Sequence, residues 1–356
     1  MELPDFMQLN DATRKVQHRE HLTCDEARGV METLLSGTTT DDHIVAFLVA
    51  LREKGETPTE LVGFAEVMRQ RAAELLCRAG VNLEELAQGE PLLDTCGTGG
   101  DGQGTLNIST GAALVAAGAG VRVAKHGNRS ISSRCGSADV LEVLGVSIDL
   151  PLEEIPACVE EVGMVFLFAP RVHVAMKNVM NARRMLKTKT VFNLLGPLTN
   201  PLGASVQLMG VYHHSRTEMM ATTLQTLGLR RALVVASLDG LDEISTSGPT
   251  RLSVTEAGQI NSREICPEEF GVPRARLEDF KGGDPEANAR ILRGVLEGGK
   301  GPHRDIILAN AAAALFTAGM ASDFTEGMER ARESLDSGLA LRKLRTLAEF
   351  TRKRTA

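Results

Sequence analysis

The chain has little aromatic character: only 3% of its 356 residues are Phe, Trp or Tyr, Trp is absent and Tyr occurs once. It also has no excess of positive charge, since its formal net charge is -7. Proteins that bind nucleic acids usually offer stacking rings and a basic surface. The composition therefore argues against a nucleic-acid partner.

Paired cysteines and long apolar runs are missing as well. The six cysteines are widely spaced and form no CxxC pair, and no charged-then-apolar leader opens the chain. The apolar stretch DIILANAAAALFTAGM is too short and too often interrupted by polar residues to span a bilayer. These absences predict a reduced, cytoplasmic protein with no membrane partner.

At this length the chain exceeds one typical core, so two domains are expected. Capping boxes at Thr23–Glu26 and Thr57–Glu60 predict a helical domain over residues 1–85. Part of 171–200, which carries the long polar helix pattern RVHVAMKNVMNARRMLKTK, is expected to rejoin it. Residues 86–356 are predicted to form a larger α/β domain with a central, mostly parallel sheet. Its short apolar runs are PLLDTC, VRVAKHG, VSIDL, MVFLFAP and RALVVASLDG.

The window from Asp94 to Arg129 carries the clearest chemical signal. Glycines in GTGGD allow the backbone N–H groups to press against a bulky anion, and NIST (107–110) opens a small-residue helix whose amides favour negative charge. A second turn presents basic and polar side chains, and a hydroxyl group follows it: Lys125, His126, Asn128 and Arg129, then Ser132 and Ser133. The window predicts a site for a ligand with several phosphates.

An acidic pair follows a later predicted strand. Asp242 and Glu243 in DGLDEIS stand where the strand ALVVAS ends, and hard oxygen ligands of this kind suit magnesium shared with substrate phosphates. A solvated acidic turn is the alternative. Because strand ends meet at one edge of a parallel sheet, GTGGD, KHGNR and DGLDE are expected to converge on one cleft.

Two further residue types are candidates for a role in binding. His173 and Arg183 lie ten residues apart on a predicted helix and would face the same way, with Arg183 able to hold a carboxylate at two points. An ordinary polar helix surface explains the same spacing.

Cys96 lies beside the glycine loop without a visible base partner, so a buried thiol is expected rather than a nucleophile.

Taken together, several motifs resemble those of the anthranilate phosphoribosyltransferases of tryptophan biosynthesis, and the resemblance spans essentially the whole chain. The motifs are GTGGDG, NIST, KHGNRSISSRCGSADVLEVLG, MKNV, FNLLGPLTNP, DGLDEIS and FKGGDPEANA. The resemblance implies the nucleoside phosphorylase and phosphoribosyltransferase type of fold and a homodimer formed through the helical domains. It also implies transfer of a phosphoribosyl group from 5-phosphoribosyl 1-pyrophosphate to the amine of anthranilate, with release of pyrophosphate.

The resemblance further assigns residues to the two substrates and the metal. The donor set it implies is Gly97, Thr98, Gly99, Gly100, Asp101, Thr105, Asn107, Ser109, Thr110, Lys125 and Ser137. The anthranilate set is Gly97, His126, Asn128, His173, Arg183, Gly196 and Pro197. Ser109, Asp242 and Glu243 would hold two magnesium ions shared with the donor. No single general base is expected.

The chain departs from the family's pattern at Val174, Arg171, Leu106 and the KTKT of 187–190. These positions are expected near the acceptor, so they bear on anthranilate affinity. Two other functions are weighed beside the main one. A pyrimidine nucleoside phosphorylase-like enzyme would show a KHS-type entry, whereas Asp94, Thr95 and Cys96 precede the loop here. A non-catalytic, nucleic-acid-binding relative of the fold would have lost the acidic pair and gained basic surface.

Overall fold

The computed structural model of the chain describes residues 9–130 and 134–355, so the predicted hydroxyl group Ser132 and Ser133 lies outside the described residues. Helices dominate both ends of the described chain. They are α1 (Leu9–Gln17), α2 (Cys24–Ser36), α3 (Asp41–Lys54), α4 (Pro58–Arg78), α5 (Leu83–Ala87), α6 (Ile108–Gly118), α7 (Ser137–Val143), α8 (Ile155–Val162), α9 (Ala169–Val172), α10 (Lys177–Leu186), α11 (Val191–Leu198), α12 (Thr217–Thr226), α13 (Pro285–Leu296), α14 (Pro302–Thr317), α15 (Phe324–Asp336) and α16 (Leu339–Thr355).

Two N-terminal helices begin where their capping residues predict. The Thr23 hydroxyl accepts from the Glu26 amide at 3.2 Å, and the Glu26 carboxylate accepts from the Thr23 amide at 2.7 Å. Thr57 and Glu60 make the same reciprocal pair, with Pro58 in the first turn of α4. Each cap satisfies amides that a helix start leaves free, which is worth about 1 kcal/mol. Both predicted capping boxes are confirmed.

The strands form one seven-stranded sheet in the order β3-β2-β1-β4-β5-β6-β7. The first five strands in this order run parallel, and β6 and β7 form an antiparallel hairpin at one edge. Strand order reverses at β1, which lies between β2 and β4. The predicted α/β class with a mostly parallel sheet is therefore confirmed. The strands are β1 (Leu92–Gly97), β2 (Arg122–Gly127), β3 (Met164–Phe168), β4 (Val206–Gly210), β5 (Arg231–Ser237), β6 (Thr250–Glu256) and β7 (Gln259–Ile265).

Successive residues of the central strands pack into two separate cores. In β4, Leu208 joins the core around α6 and α14, whereas Met209 joins the core that holds α1 to α4. Leu233 and Val234 of β5 divide in the same way. Because side chains alternate across a strand, each face of the sheet is covered by its own helices. The carboxyl ends of the parallel strands are left to line a cleft.

The segment 171–200 supplies two helices to the N-terminal bundle. Val179 and Ala182 of α10 are buried in the same core as α2 and α3, and the Asn178 side chain donates to the Leu35 carbonyl at 2.8 Å. Helix α11 also contributes to this core. The division into domains at residues 85 and 86 stays a prediction.

Two expectations about secondary structure are wrong. VSIDL (146–150) forms no strand; the Ser147 amide instead donates to the Thr351 hydroxyl of α16 at 3.0 Å. The long helix over 171–189 is broken, because His173 adopts φ -120° and ψ 56° between α9 and a short 3₁₀ turn. Regular helix resumes only at Lys177.

Within residues 9–130 and 134–355, no helix has both the length and the apolar character needed to cross a membrane.

Candidate active site

The cleft at the carboxyl ends of β1, β2, β3 and β5 has a volume of about 320 Å³. Its lining includes the loop after β1, the start of α6, the turn after β2, part of α11 and the acidic turn after β5. The three motifs GTGGD, KHGNR and DGLDE are therefore brought together as predicted. The predicted residues in the lining are Gly97, Thr98, Gly99, Gly100, Asp101, Thr105, Asn107, Ser109, Thr110, Lys125, His126, Asn128, Ser137, Arg183, Gly196, Pro197, Asp242 and Glu243.

The glycine loop is anchored at its first turn and open beyond it. The Thr98 amide donates to the Gly210 carbonyl at 2.9 Å, which extends the pairing of β1 with β4 by one residue. Gly99 and Gly100 then take φ of 63° and 73°, values that residues with a Cβ rarely adopt. The Gly99 amide points to Asp242 and donates to its Oδ2 at 2.8 Å. The loop backbone thus lies beside an acidic side chain, which the Gly99 amide holds in place.

The acidic turn packs against two glycines that leave no room for a side chain. A Cβ built on Gly97 would lie 2.8 Å from Asp242 Oδ2, and one on Gly210 would lie 1.6 Å from the Asp242 carbonyl oxygen. A Cβ atom essentially never lies within 3.0 Å of such atoms. The approach of Asp242 to the sheet therefore depends on both glycines.

The start of α6 is tied to two distant segments. The Asn107 side chain accepts from Asn288 Nδ2 at 3.0 Å and donates to the Cys135 carbonyl at 3.3 Å, so it does not cap its own helix. Backbone pairing of Leu106 with Phe280 at 3.0 Å docks the FKGGDPEANA motif onto the loop. This explains a motif to which sequence reasoning gave no role.

Lys125 lies on the floor of the cleft, next to the start of α6. It is 2% exposed, and its ammonium donates to the Ser109 hydroxyl at 3.3 Å and to the Thr95 carbonyl. Burial lowers the pKa of Lys125, while the charges of Asp94, Cys96 and Glu243 oppose that effect. A buried ammonium beside a helix start gives this part of the cleft a preference for anions.

The acidic pair is poor in partners. Glu243 accepts from the Ser109 amide at 3.2 Å, and Asp242 accepts from Gly99. Burial raises the pKa of both carboxyls, and Asp101 raises the pKa of Asp242 further. Ionised carboxylates so placed call for a cation.

The donor set around this pair fits magnesium. The Asp242, Glu243 and Ser109 side chains offer only hard oxygen ligands. Among the described residues no group of three or more His, Cys, Asp or Glu is arranged to hold a metal by itself. A cation at this place would therefore complete its coordination with oxygens of a ligand and water, as magnesium usually does at phosphate sites.

His126 on the opposite side of the cleft is held as a neutral ring. Its amide donates to Asp94 Oδ1 at 3.1 Å, and its Nδ1 lies 3.2 Å from the Gly196 carbonyl. Because a carbonyl only accepts, Nδ1 carries the proton and Nε2 keeps its lone pair. Nε2 has no partner among the described residues, and burial lowers the pKa of His126 to about 3. The ring offers the cleft a hydrogen-bond acceptor.

Arg183 lines the same cleft, and its guanidinium has no carboxylate partner among the described residues. Its guanidinium carbon is 5.2 Å from the centroid of the Phe192 ring, and its Nη1 lies 3.8 Å from the Met180 sulfur. No acidic side chain of the described residues comes within ion-pair distance of it. Burial lowers the pKa of Arg183. An unpaired guanidinium on an aromatic face is suited to bind a carboxylate ligand.

His173 is not placed as predicted, because it does not share a helix with Arg183. Its Nε2 lies 3.0 Å from the Thr199 carbonyl, and its ring is 5.1 Å from the His126 ring. Burial lowers the pKa of His173 to about 4. His173 lines a second cavity, of about 390 Å³, between the N-terminal bundle and residues 172–178. It therefore contacts the cleft through His126 instead of lining it.

A buried polar network beneath the cleft was not predicted. Asp94 Oδ2 accepts from Asn200 Nδ2 at 2.9 Å, and Gln207 Nε2 donates to the Pro197 carbonyl at 2.7 Å and to Cys96 Sγ at 3.0 Å. Cys96 is buried as predicted, and burial raises the pKa of its thiol well above the usual value. The network ties β1 and β4 to the NLLGPLTNP segment, of which Gly196 and Pro197 line the cleft. Asp94 and Asn200 both stand inside quoted motifs, so their motif positions were the available signal.

The positions that depart from the family's pattern are spread over different parts of the chain. Val174 is 48% exposed and lines the second cavity, and Arg171 pairs with Asp149 at 3.5 Å. Leu106 is buried and lines the cleft. Lys189 lies over Gly100 of the glycine loop. The expectation that all these positions lie near the acceptor stays a prediction.

Comparison with known proteins matches both parts of the chain. The model for the glycosyl transferase family a/b domain matches residues 89–341, and the model for that family's helical bundle domain matches residues 10–72. The chain is 50% identical over 352 residues to the anthranilate phosphoribosyltransferase of Solibacter usitatus, which covers 99% of each chain.

Solved structures of the same enzyme are similar over nearly the whole length. That of Thermus thermophilus has a TM-score of 0.86 and 43% identity, covering 96% of this chain and 99% of the other. The Saccharomyces cerevisiae enzyme in complex with PRPP and Mg has a TM-score of 0.84 and 27% identity, covering 97% and 98%. Its complex with 4-fluoroanthranilate gives 0.85 at the same identity and coverage.

Proposed function

The chain belongs to the anthranilate phosphoribosyltransferase family, and we propose that its cleft transfers the phosphoribosyl group of 5-phosphoribosyl 1-pyrophosphate (PRPP) to the amine of anthranilate. Pyrophosphate is released. The observation that carries this proposal is that the residues lining one cleft form two unlike groups, one around Ser109 and one around α11. The first group, the donor half, has backbone amides, a buried lysine and an acidic pair, and the second, the acceptor half, has an unpaired arginine and a neutral histidine.

The donor half suits the charge that develops when the ribose C1–oxygen bond breaks. The sugar gains oxocarbenium character and the leaving pyrophosphate gains negative charge, so fixed amides and Lys125 lower the barrier electrostatically. The residues proposed to contact PRPP are Gly97, Thr98, Gly99, Gly100, Asp101, Thr105, Asn107, Ser109, Thr110, Lys125 and Ser137. Thr110 supports this role, because its buried hydroxyl has no partner among the described residues.

Magnesium is proposed to bind between the acidic pair and the donor, as two ions held in part by Ser109, Asp242 and Glu243. The Saccharomyces cerevisiae relative was solved with PRPP and Mg. When bound, magnesium neutralises charge on the pyrophosphate oxygens and orients them. The raised pKa values of Asp242 and Glu243 support the assignment, since a cation there restores the ionised form of both side chains.

The acceptor half suits an aromatic amino acid. Arg183 is proposed to hold the anthranilate carboxylate, and His126 Nε2 to accept a hydrogen bond from the amine, so that the nitrogen lone pair faces the ribose carbon. Gly97, Asn128, Gly196 and Pro197 complete the pocket, and His173 supports it through the His126 ring. An aromatic amine needs positioning more than deprotonation, so no single indispensable general base is proposed.

The proposal also covers the oligomeric state and the cellular compartment of the protein. The chain is proposed to act as a homodimer through its N-terminal helices and to work in the cytoplasm. Neither alternative function is favoured by an observation: the acidic pair expected to be lost in a nucleic-acid-binding relative is present, and the relatives described above are named as anthranilate phosphoribosyltransferases.

The proposal is tested with purified protein, PRPP, magnesium and anthranilate, by following the loss of anthranilate fluorescence. Arg183→Ala should raise KM for anthranilate about 100-fold while KM for PRPP changes little, because only the acceptor loses a charge-assisted bond. Arg184→Ala, at an exposed neighbour on the same helix, is the control and should match the wild type. Absence of turnover in the folded wild-type protein, or equal loss for both substrates in Arg183→Ala, would contradict the proposal.

A further inference from the structure

Lys189 lies between α10 and α11 and reaches over the glycine loop. Its Cε is 3.1 Å from the place where a Cβ of Gly100 would stand, so the lysine stem covers the open face of that glycine. The ammonium is 3.8 Å from the centroid of the Tyr212 ring. The side chain therefore stands at the rim of the donor half, at the turn proposed to receive pyrophosphate.

Tyr212 fixes the position of this lysine relative to the loop. The Tyr212 amide donates to the Thr98 hydroxyl at 3.0 Å, which joins the aromatic platform to GTGGD. Arg216 lies 5.5 Å from the same ring, but it is committed to Glu56 at 3.0 Å. Lys189 has no acidic partner within ion-pair distance among the described residues. A cation held on a ring rather than by a carboxylate remains available to an anionic ligand.

The acidic groups that face Lys189 belong to the cleft. Asp242 and Asp101 both act on it electrostatically, and they raise the pKa of Lys189 against the lowering effect of burial. Asp242 is one of the proposed magnesium ligands. Asp242 also accepts from the Gly99 amide, so Lys189 and the glycine loop flank the same carboxylate.

We infer that Lys189 is a further binding residue for the pyrophosphate part of the donor, an inference that rests on the proposed function. When the bond between ribose C1 and the pyrophosphate oxygen breaks, its electron pair goes to pyrophosphate. The anthranilate nitrogen forms the new bond to C1 and gives up a proton to solvent. The Lys189 ammonium adds positive charge over Gly100, in addition to the Lys125 ammonium beside Ser109. Its four-carbon stem can move the ammonium from the Tyr212 ring to a phosphate oxygen.

Calorimetric titration of the full-length protein tests this inference with two probes in the presence of magnesium, inorganic pyrophosphate and ribose 5-phosphate. Lys189→Met should raise Kd for pyrophosphate about 10- to 100-fold, the range expected for a lost charge-assisted bond, and leave Kd for ribose 5-phosphate within about twofold. Lys189→Arg should recover most of the pyrophosphate affinity. Lys187→Met is the matched control, because this neighbouring lysine is exposed. Its φ is 48°, and Met has a Cβ as Lys does, so the substitution does not change the backbone strain there.

Steady-state kinetics supply an independent readout. KM for PRPP should rise in Lys189→Met, while KM for anthranilate stays at the wild-type value. Unchanged pyrophosphate affinity, or equal loss for both probes together with a lower Tm, would overturn the inference and leave Lys189 a structural residue. If the wild-type protein binds pyrophosphate through Lys189 but shows no turnover, the proposed function fails while this assignment stands.

Discussion

Two regions of the molecule bury acidic side chains, but only one of them supplies a cationic partner from within the part of the chain that the structure describes. In the N-terminal bundle, Glu60 is fully buried and accepts from Lys54, from the Leu22 amide and from both donors of Thr57, all at 2.9 Å. In the cleft, Asp242 and Glu243 each accept one backbone amide from a neighbouring segment. The first arrangement is complete within the chain, whereas the second lacks a counter-cation.

The contrast separates a structural use of buried charge from a functional one. A buried pair whose carboxylate also accepts several further hydrogen bonds holds two helices in one geometry, although its net stabilisation is small. Buried carboxyls with raised pKa values lower stability when they ionise, and they persist where a ligand later supplies the missing charge. The three changes that follow probe the two sides of this comparison.

Gly210→Ala should have the largest effect, because it attacks the packing that brings the acidic turn to the cleft. The added Cβ would meet the Asp242 carbonyl at 1.6 Å, so the turn must move by more than an ångström. A displacement of that size costs about 100-fold in rate when it affects reacting groups. The measurement is kcat/KM for both substrates.

Gly294→Ala provides the control for that change. Gly294 lies inside α13 and has open space around its Cβ position, so alanine there should leave activity unchanged and raise stability by up to about 1 kcal/mol. Wild-type activity in Gly210→Ala would show that the acidic turn does not depend on this close approach.

Glu60→Gln should have the second-largest effect, and it should lower the stability of the fold rather than the catalytic rate. It leaves Lys54 buried without an opposite charge, at a cost of about 3–5 kcal/mol in the free energy of unfolding measured with urea. The double change Lys54→Met with Glu60→Gln should recover part of that loss, since no unpaired charge remains. A loss below about 1 kcal/mol for Glu60→Gln would remove the distinction between the two regions.

The smallest expected effect is a pH dependence from the cleft. The pKa values of Asp242 and Glu243 are higher in the folded protein than in the unfolded chain, where they lie near 4. Their protonated forms therefore stabilise the fold at low pH, and this stabilisation is lost as pH rises through the raised pKa values. The free energy of unfolding should therefore fall between about pH 4 and pH 8, since each unit of pKa shift is worth about 1.4 kcal/mol. Denaturation at several pH values measures it.

The double change Asp242→Asn with Glu243→Gln should flatten that decline. Magnesium should raise the Tm of the wild-type protein more at pH 8 than at pH 5, because the cation binds the ionised pair. The same decline in the double variant as in the wild type would assign it to other groups.

Local chemistry made much of this molecule predictable from the sequence. Thr23 and Thr57 begin helices because their hydroxyls accept from free amides three residues later. The turn after β1 could be recognised because its positive φ values favour glycine. The convergence of Lys125 and Asp242 could be predicted because the carboxyl ends of parallel strands meet at one edge. All these inferences depend on neighbours or on a general rule of topology.

The remainder depends on partners far away in the chain. VSIDL has the alternation of a strand, but Thr351 of the last helix takes the Ser147 amide. The helix pattern around His173 breaks where the ring is buried between His126 and the Thr199 carbonyl. Lys189 reads as one more surface lysine until Gly100 and Tyr212 are placed beneath it. Periodicity carries no information about such pairings.

Tyr212 also gives the molecule a built-in optical reporter. With no Trp and a single Tyr in the chain, all tyrosine fluorescence comes from one ring, and that residue touches the donor loop through Thr98. A change in emission intensity or anisotropy on adding pyrophosphate would therefore report on this loop alone. The scarcity of aromatic residues turns the unlabelled protein into a single-site fluorescent sensor of donor binding.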